Sequence, residues 1–315
     1  MEQPRVLLLE TIHDEAYQYL SGQCVIVPGY EEASVSGDFH AIITRGKGKV
    51  TADLMDQNKS LRVVARCGVG LDNVDVAAAT SRQIPVINAP GINTQTVVEH
   101  TISLMLMLVR NMYNSVTAVK QDQWQFRNSL VSDELSGKTL GIAGMGNIGK
   151  KVAKVAQALG MNICYYDPWA AVDEFQKVEL HELLQTSDVV SIHLPLTGQT
   201  RGMIGKTELA KMKPSSFLIN TSRGEIIDHQ ALEQAIRSAH LAGFAADVLP
   251  EEPPETGYSL LSHPGVLVTP HSASLTASTY RQMCLITVQN VVSLLSGTPF
   301  DPQCIFNRRD ILPFQ

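Results

Sequence analysis

The sequence predicts an α/β protein made of two Rossmann-like, doubly wound domains, each with its own parallel sheet. Its length of 315 residues suits two domains better than one. Short β-branched or apolar runs alternate with polar, helix-compatible stretches, and the alternation occurs in both halves of the chain. A composition of 44% hydrophobic and 18% charged residues is that of a globular protein.

The predicted strands fall into two series. The first half contains Val6–Leu9, Val25–Val27, Ala41–Thr44, Arg62–Ala65 and Pro85–Ile87. The second half contains Thr139–Ala143, Ile163–Tyr166, Val189–His193, Phe217–Asn220, Gly243–Asp247 and Val266–Thr269. Each series is long enough for a separate sheet.

Two helices join the series. Thr94–Arg110 has Thr94 as a plausible N-cap and is apolar on more than one face. It must therefore be covered by the second domain, by a partner subunit or by both, and we hypothesise a homodimer. Tyr280–Leu295 ends at Gly297 and can return the chain to the first domain, which would then be discontinuous.

Charge and composition exclude several classes of function. A net charge of −6 provides no basic field for nucleic acid or an anionic membrane. The apolar run Thr101–Val109 is much shorter than the roughly 20 residues of a membrane helix, and Val6–Leu9 is too short for a signal peptide. Five scattered cysteines without a C-x-x-C spacing indicate reduced thiols and a cytoplasmic protein. We also expect no metal site.

A glycine-rich turn, Gly144-x-Gly146-x-x-Gly149, directly follows a predicted strand and opens a helical pattern. In such a turn the first glycine permits a tight bend, the second lets the backbone approach a pyrophosphate, and the third allows the helix to pack closely on the sheet. The diphosphate then lies at the N-terminus of the helix. The pattern predicts a dinucleotide site, although a strand–turn–helix with ordinary glycines can also produce it.

Asp167 strengthens the prediction. It follows the strand Asn162–Tyr166, eighteen residues beyond Gly149. An acid at this place accepts hydrogen bonds from the adenosine ribose and repels a 2′-phosphate, which favours NAD over NADP. A methyltransferase or another nucleotide-binding α/β protein can share these features, so the reaction has to be argued from other residues.

Three loops at predicted strand ends carry polar residues, namely Arg223, Glu252 and His271. The carboxyl ends of parallel strands meet at one crevice, so these residues can lie together. His271 suits the role of proton donor to a 2-keto group, and Glu252 would favour its charged form and fix its orientation. Arg223 would hold the substrate carboxylate. Each residue alone also fits a purely structural role. His271 can be a loop histidine that hydrogen-bonds to the backbone, Glu252 a solvated acid, and Arg223 a helix-capping residue.

Seven stretches occur in one order between Arg66 and His271, and the resemblance that they carry extends over essentially the whole chain. They are RCGVGLDNVD (Arg66–Asp75), NAPGINTQTVVEH (Asn88–His100), LGIAGMGNIG (Leu140–Gly149), HLPLT (His193–Thr197), INTSRGEIID (Ile219–Asp228), AADVLPEEP (Ala245–Pro253) and TPH (Thr269–His271). This arrangement resembles the D-isomer-specific 2-hydroxyacid dehydrogenase family, which includes phosphoglycerate dehydrogenase, glyoxylate and hydroxypyruvate reductases, and D-lactate dehydrogenase. The pattern is most similar to phosphoglycerate dehydrogenases that lack an appended regulatory domain.

The resemblance implies a role for each matching residue. Arg223, Glu252 and His271 match the family's catalytic triad. The expected NAD contacts are Gly144, Gly146, Asn147, Ile148, Gly149, Asp167, Leu194, Thr221, Ser222, Asp247, Ser272, Ser274 and Val69. Gly68, Val69 and Gly70 match the loop whose amides cradle the substrate carboxylate, and His271 and Arg223 also face the substrate. Ser272 and Ser274 stand where many relatives have a small apolar residue and glycines.

The resemblance also implies a split substrate domain and a homodimer. With the helical pattern Tyr280–Leu295, it predicts a substrate domain of residues 1–98 and 287–315 and an NAD-binding domain of residues 99–286.

Two arginines give the clue to the substrate. Arg45 and Arg66 each follow a predicted strand, and in similar phosphoglycerate dehydrogenases arginines at these places bind the substrate phosphate. We therefore hypothesise a doubly anionic substrate such as 3-phosphoglycerate, with glyoxylate or hydroxypyruvate reduction as the runner-up. Surface ion pairs are an equally simple explanation of both arginines. A hypothesis of another class is an NAD-sensing binding protein resembling the family's corepressors.

Overall fold

The computed structural model describes residues 3–31 and 37–311. In chain order, the strands and helices are β1 (Arg5–Leu8), α1 (Asp14–Ser21), β2 (Val25–Pro28), β3 (Ala41–Thr44), α2 (Ala52–Asp56), β4 (Val63–Arg66), α3 (Val76–Ser81), β5 (Val86–Ile87), α4 (Thr94–Val109), α5 (Met112–Lys120), β6 (Thr139–Ala143), α6 (Asn147–Ala158), β7 (Asn162–Tyr166), β8 (Gln176–Lys177), α7 (Leu180–Thr186), β9 (Val189–Ile192), α8 (Lys206–Lys211), β10 (Ser216–Asn220), α9 (His229–Arg237), β11 (Leu241–Ala246), β12 (Val266–Val268) and α10 (Ala277–Ser296). Short 3-10 helices lie at Trp124–Asn128, Gly224–Ile226, Ser259–Ser262 and Pro302–Cys304.

The chain forms two compact units. The first combines Met1–Asn93 with Leu275–Gln315, and the second is Thr94–Ser274. The boundaries expected from the sequence, 98/99 and 286/287, fall inside α4 and α10. Each of these helices packs along its length on the core of a single unit, so the structure places both boundaries just before the helix instead.

The first unit has a five-stranded parallel sheet in the order β2-β1-β3-β4-β5. Successive residues of β1 point to opposite faces, so Val6 and Leu8 join one apolar cluster while Leu7 joins another. Helices α1 and α10 cover the first face, and α2 and α3 cover the second. Both faces are buried, as expected of a doubly wound sheet.

The second unit has a seven-stranded parallel sheet in the order β12-β11-β10-β9-β6-β7-β8. The two parallel sheets confirm the predicted fold class. The strand order reverses at β6, which lies between β9 and β7, and ligands of such sheets bind beyond the carboxyl ends of the strands at this reversal. The sequence missed β8 because its two residues are both exposed and show no alternation.

Helix α4 is covered inside the second unit. Nine of its sixteen residues are buried, and its exposed positions Gln95, Glu99 and Ser103 form one polar stripe at four-residue spacing. Of the alternatives that the sequence left open, cover by the second domain is the one that the structure shows. The apolar surface of α4 therefore provides no argument for a partner subunit. Among the described residues, none of the helices has the length and apolarity needed to cross a membrane.

In the first unit, the carboxylate of Glu10 organises the loop that follows β3. Its Oε2 accepts the Thr44 hydroxyl hydrogen bond at 3.0 Å and the backbone N–H groups of Arg45 (2.8 Å), Gly46 (2.7 Å), Lys47 (3.0 Å) and Gly48 (3.0 Å). Successive amides that converge in this way form an anion-binding concavity. Partial burial raises the pKa of Glu10, but the four amides outweigh burial and lower that pKa from 4.5 to about 2.

The stabilisation from Glu10 should disappear as the pH falls from 4.5 toward 2. The folded-state pKa is the lower one, so the unfolded chain binds the proton first, and the full stabilisation is present only above about pH 4.5. We expect Glu10→Gln to reduce the free energy of unfolding by about 3 kcal/mol at neutral pH. The difference from the wild-type protein should narrow below about pH 4.5.

Urea unfolding of both proteins from neutral pH down to about pH 3.5 measures this difference. A difference that stays constant over the whole range contradicts the assignment.

Candidate active site

A direct hydrogen bond joins His271 to Glu252. The distance from His271 Nδ1 to Glu252 Oε2 is 2.7 Å, and Glu252 Oε1 accepts the Leu249 amide at 2.9 Å. His271 lies just beyond β12, and Glu252 lies in the loop after β11. The two side chains are 44% and 37% exposed, so a small molecule can reach them. Within the described part of the chain, Nε2 of His271 forms no hydrogen bond.

The electrostatics of Glu252 favour its charged form. Partial burial raises the pKa of its carboxyl. The hydrogen bonds from His271 and the Leu249 amide, with the charges of His271 and Arg223, outweigh burial and hold that pKa below its ordinary value. A carboxylate therefore faces Nδ1 of the imidazole at neutral pH.

Arg223 follows β10 in a loop that Asn220 holds. The Asn220 amide nitrogen donates to the Arg223 carbonyl at 2.8 Å, and its oxygen accepts from the Ser222 amide at 3.0 Å. The next residue, Gly224, lies so close to the Leu249 carbonyl that a Cβ would not fit. This approach brings the loops after β10 and β11 together. The Arg223 charge acts on Glu252 electrostatically, whereas His271 contacts it directly.

The glycine-rich turn lies between β6 and α6. Gly144 has φ 105°, and a Cβ there would come within 2.6 Å of the His193 carbonyl carbon. A Cβ on Gly149 would clash with the Gly144 carbonyl oxygen, so helix and turn pack closely. Gly146 is exposed, and nothing lies within 4 Å of where its Cβ would be.

This turn fits the diphosphate of a dinucleotide. The open space at Gly146 adjoins the N-terminus of the twelve-residue helix α6, where free N–H groups favour an anion. The first turn of α6 contains no acidic residue that would repel phosphate. Of the predicted contacts there, Asn147 is exposed and Ile148 is half-buried.

Asp167 is anchored to the backbone of its own unit. Its Oδ2 accepts the Met145 amide at 2.7 Å, and its Oδ1 accepts the amides of Trp169 at 2.7 Å and Ala170 at 2.8 Å. The side chain thus ties the glycine-rich turn to the end of β7. Each carboxylate oxygen can accept more than one hydrogen bond, so these contacts leave room for ribose hydroxyls.

Asp247 anchors the segment around His271 in a similar way. It is 2% exposed and accepts the Thr269 hydroxyl at 2.5 Å and the amides of Ser272 and Ala273, each at 2.8 Å. Two further predicted cofactor residues also have partners within this unit. The Thr221 hydroxyl is 2.9 Å from that of Thr101, and the Ser222 hydroxyl is 3.1 Å from the Asn220 side-chain oxygen. Of the remaining predicted contacts, Leu194 is buried and Ser274 is half-buried.

His100 is a residue whose place the sequence analysis missed. It lies on α4, with Nε2 2.9 Å from the Thr269 hydroxyl oxygen and 3.5 Å from Asp247 Oδ1. The sequence showed it only as the last letter of a matching stretch. Its partners are 147 and 169 residues further along the chain, which no local pattern indicates.

The predicted substrate residues of the first unit form a network of their own. Arg66 Nε donates to the Arg45 carbonyl at 2.5 Å, and Arg66 also donates to the Gly70 carbonyl. The Arg45 guanidinium donates to the Tyr280 hydroxyl at 3.0 Å, lies 5.4 Å from the centre of that ring and is 3.9 Å from Glu10. The sequence did not indicate Tyr280, which is 235 residues from Arg45.

The loop after β4 is fixed by the same unit. The Gly68 amide donates to the Arg66 carbonyl at 2.8 Å, and the Gly68 carbonyl accepts the Ala89 amide at 2.9 Å. The Val69 carbonyl accepts the Asn88 side chain at 2.8 Å. These contacts hold the loop that the sequence matched to a carboxylate cradle.

Comparison with known proteins identifies a family to which the sequence is similar. The model for the NAD-binding domain of D-isomer-specific 2-hydroxyacid dehydrogenases matches residues 102–273. A glyoxylate reductase of Aeropyrum pernix is 36% identical over 94% of this chain and 94% of its own length. A D-3-phosphoglycerate dehydrogenase of Archaeoglobus fulgidus is also 36% identical, over 94% of this chain and 58% of its own length.

The chain thus spans little more than half the length of that phosphoglycerate dehydrogenase. Among solved structures, a similar one is the NADPH-dependent glyoxylate/hydroxypyruvate reductase of Sinorhizobium meliloti, in complex with NADP and malonate. It is 29% identical, with a TM-score of 0.87, and the match covers 96% of this chain and 98% of that one. The sequence match, the two parallel sheets and the glycine-rich turn agree with one another. The chain therefore belongs to the D-isomer-specific 2-hydroxyacid dehydrogenase family and contains its NAD-binding domain.

Proposed function

We propose that this protein is an NAD-dependent D-2-hydroxyacid dehydrogenase that transfers hydride between the nicotinamide and C2 of a small 2-hydroxy or 2-keto acid. The observation that carries the proposal is the 2.7 Å hydrogen bond from His271 Nδ1 to Glu252, in a chain with this family's NAD-binding domain. A carboxylate–imidazole pair supplies the acid–base group that a carbonyl–alcohol interconversion requires.

The three residues divide the work. Nδ1–H of His271 donates to Glu252, so Nε2 is the nitrogen that gives a proton to the carbonyl oxygen in reduction and takes it back in oxidation. Glu252 stabilises the charged ring and fixes its tautomer. Arg223 binds the substrate carboxylate through its planar guanidinium. The bound nicotinamide supplies or accepts the hydride.

Another histidine near the glycine-rich turn does not suit the role of proton donor. Burial lowers the pKa of His193 to about 4, so its imidazole is neutral at neutral pH. Its Nε2 also lies 2.9 Å from the Ser191 hydroxyl. These properties support His271 as the proton donor.

We also propose that the dinucleotide is NAD rather than NADP. The support is Asp167, a carboxylate held at the end of β7 close to the glycine-rich turn by three backbone amides. Its negative charge would repel a 2′-phosphate.

His271→Asn should lower kcat by at least about 10²-fold on every substrate that the enzyme accepts, because a positioned acid–base group contributes at least that much. NADH oxidation with a panel of 2-keto acids measures the effect and shows which acid is preferred. His240→Asn is the matched control, since His240 is half-buried in the same unit and its imidazole hydrogen-bonds to the Leu209 carbonyl, at 3.1 Å, away from the candidate site. Full activity of His271→Asn would overturn the proposed mechanism.

The same panel separates catalysis from the alternative of an NAD-sensing binding protein. Such a protein would bind NADH but reduce none of the 2-keto acids with it. Turnover at kcat values typical of enzymes, about 1 to 10³ s⁻¹, supports the dehydrogenase.

For the substrate we propose a doubly anionic acid such as 3-phosphoglycerate. The support is that Arg45 and Arg66 are neighbours, since Arg66 Nε donates a hydrogen bond to the Arg45 carbonyl at 2.5 Å. Glyoxylate or hydroxypyruvate is the second candidate. Two observations favour it: Arg45 already contacts Tyr280 and Glu10, and the chain matches almost the full length of a glyoxylate reductase.

If the phosphate proposal holds, Arg45→Ala and Arg66→Ala should each raise KM for the phosphorylated acid by about tenfold or more, because each removes a charge-assisted hydrogen bond of about 1.5 to 3 kcal/mol. KM for glyoxylate should change little. Arg82→Ala is the control, since Arg82 forms an exposed ion pair with Asp56 at 2.7 Å. An unchanged KM for the phosphorylated acid in both variants would favour the second candidate.

We propose a homodimer that uses the face of α5. Met112, Val116 and Val119 are 48%, 51% and 51% exposed and recur at helical spacing. Trp124 and Val131, 64% and 84% exposed, follow in the same segment of the chain. A patch of large apolar side chains on one side of a protein typically marks an interface, and a second copy offers an identical apolar patch.

Val116→Glu should weaken this dimer, because it introduces a charge into an apolar contact. Sedimentation equilibrium at micromolar concentration measures the association. Val25→Glu, at a valine that is 44% exposed in the first unit, should leave the dimer intact. A monomeric wild-type protein at that concentration would refute the proposal.

The protein is proposed to work in the cytoplasm. Its five cysteines are all buried and unbridged. Cysteines that stay reduced suit a reducing compartment.

A further inference from the structure

The segment after β12 holds His271 in an unusual backbone conformation. His271 has φ 51°, in the left-handed region that residues other than glycine rarely adopt. Its own amide donates to the Thr269 carbonyl at 2.9 Å. Such a conformation persists only where the surroundings hold it, so the contacts of the segment decide where the imidazole points.

Asp247 is the first of these contacts. Its carboxylate binds the amides of Ser272 and Ala273, which are the two residues directly after His271. Because Asp247 is 2% exposed, water cannot easily replace it. The carboxylate therefore fixes the backbone on the C-terminal side of the catalytic histidine.

The donor and the acceptor of the next two hydrogen bonds can be assigned. The Thr269 hydroxyl is 2.5 Å from Asp247 Oδ1, and a carboxylate only accepts, so the hydroxyl donates its hydrogen to Asp247. The Thr269 oxygen then accepts at 2.9 Å from His100 Nε2, which must carry a hydrogen. His100 is thus the outermost donor of a chain that runs through Thr269 to Asp247.

From this chain of hydrogen bonds we infer that His100 is a positioning residue of the active site, which acts through Thr269 and Asp247 to hold the segment that carries His271. The inference rests on the proposed function, because it assigns catalysis to His271. Helix α4 is a firm support for His100, since it is buried along most of its length. We assign the imidazole of His100 no contact with substrate or cofactor.

Three variants of the 315-residue chain test the inference. His100→Leu removes the donor, and His100→Gln keeps an N–H donor at a similar distance from the backbone, so that it can still reach the Thr269 hydroxyl. His240→Leu removes another half-buried imidazole of the same unit, which hydrogen-bonds to the Leu209 carbonyl. For each variant we would measure kcat and KM with the best keto acid, and hydrogen exchange of the amides of Ser272 and Ala273.

His100→Leu should lower kcat about tenfold with a smaller change in KM, the scale of one lost hydrogen bond. It should also speed exchange of the two amides about tenfold. His100→Gln should restore most of both properties, and His240→Leu should leave both unchanged. If His100→Leu does not fold, Thr269→Val breaks the same chain of hydrogen bonds and Thr269→Ser restores it, with the same expected effects.

Exchange and kcat that stay at wild-type values in His100→Leu would overturn the inference. So would an equal defect in His100→Gln, because the effect would then come from the lost ring and not from the donor. If the wild-type protein has no turnover, the proposed function fails, but the exchange measurement still decides whether His100 holds the segment.

Discussion

The hydrogen bond between His271 and Glu252 is the interaction on which the rest of the site depends. It needs two loops, after β12 and after β11, to lie at the same edge of the sheet, and the parallel strand order provides this. Gly224 lets the loop after β10 approach the same place. The proposed catalytic groups are far apart in the sequence, and the neighbouring parallel strands bring the loops that carry them to one edge of the sheet.

Buried or half-buried acids recur as anchors of loops in both units. Glu10 gathers four amides after β3, Asp167 ties the glycine-rich turn to β7, and Asp247 holds the residues that follow His271. Each carboxylate is desolvated, and each has backbone amides that compensate for the lost water. For Asp167 and Asp247, the family resemblance also implies contacts with the cofactor, in addition to this role as anchors of loops.

Much of the fold was predictable, because β-branched runs and glycine spacing are local signals. The eleven predicted strands all occur, and Gly144, Gly146 and Gly149 have the three environments that the motif requires. Contacts between distant residues were not predictable. The sequence missed Tyr280 beside Arg45 and His100 beside Thr269. It also left open whether the second domain or a partner subunit covers the apolar face of α4, which packs on the core of the second unit.

Nuclear magnetic resonance of the protein with ¹⁵N-labelled histidine measures the hydrogen bond between His271 and Glu252 directly. We predict a strongly deshielded proton on Nδ1 of His271, and its strong deshielding should be lost in Glu252→Gln, because a neutral amide replaces the charged acceptor. An Nδ1 without a proton, or a resonance that the Glu252 substitution leaves unchanged, would contradict this prediction.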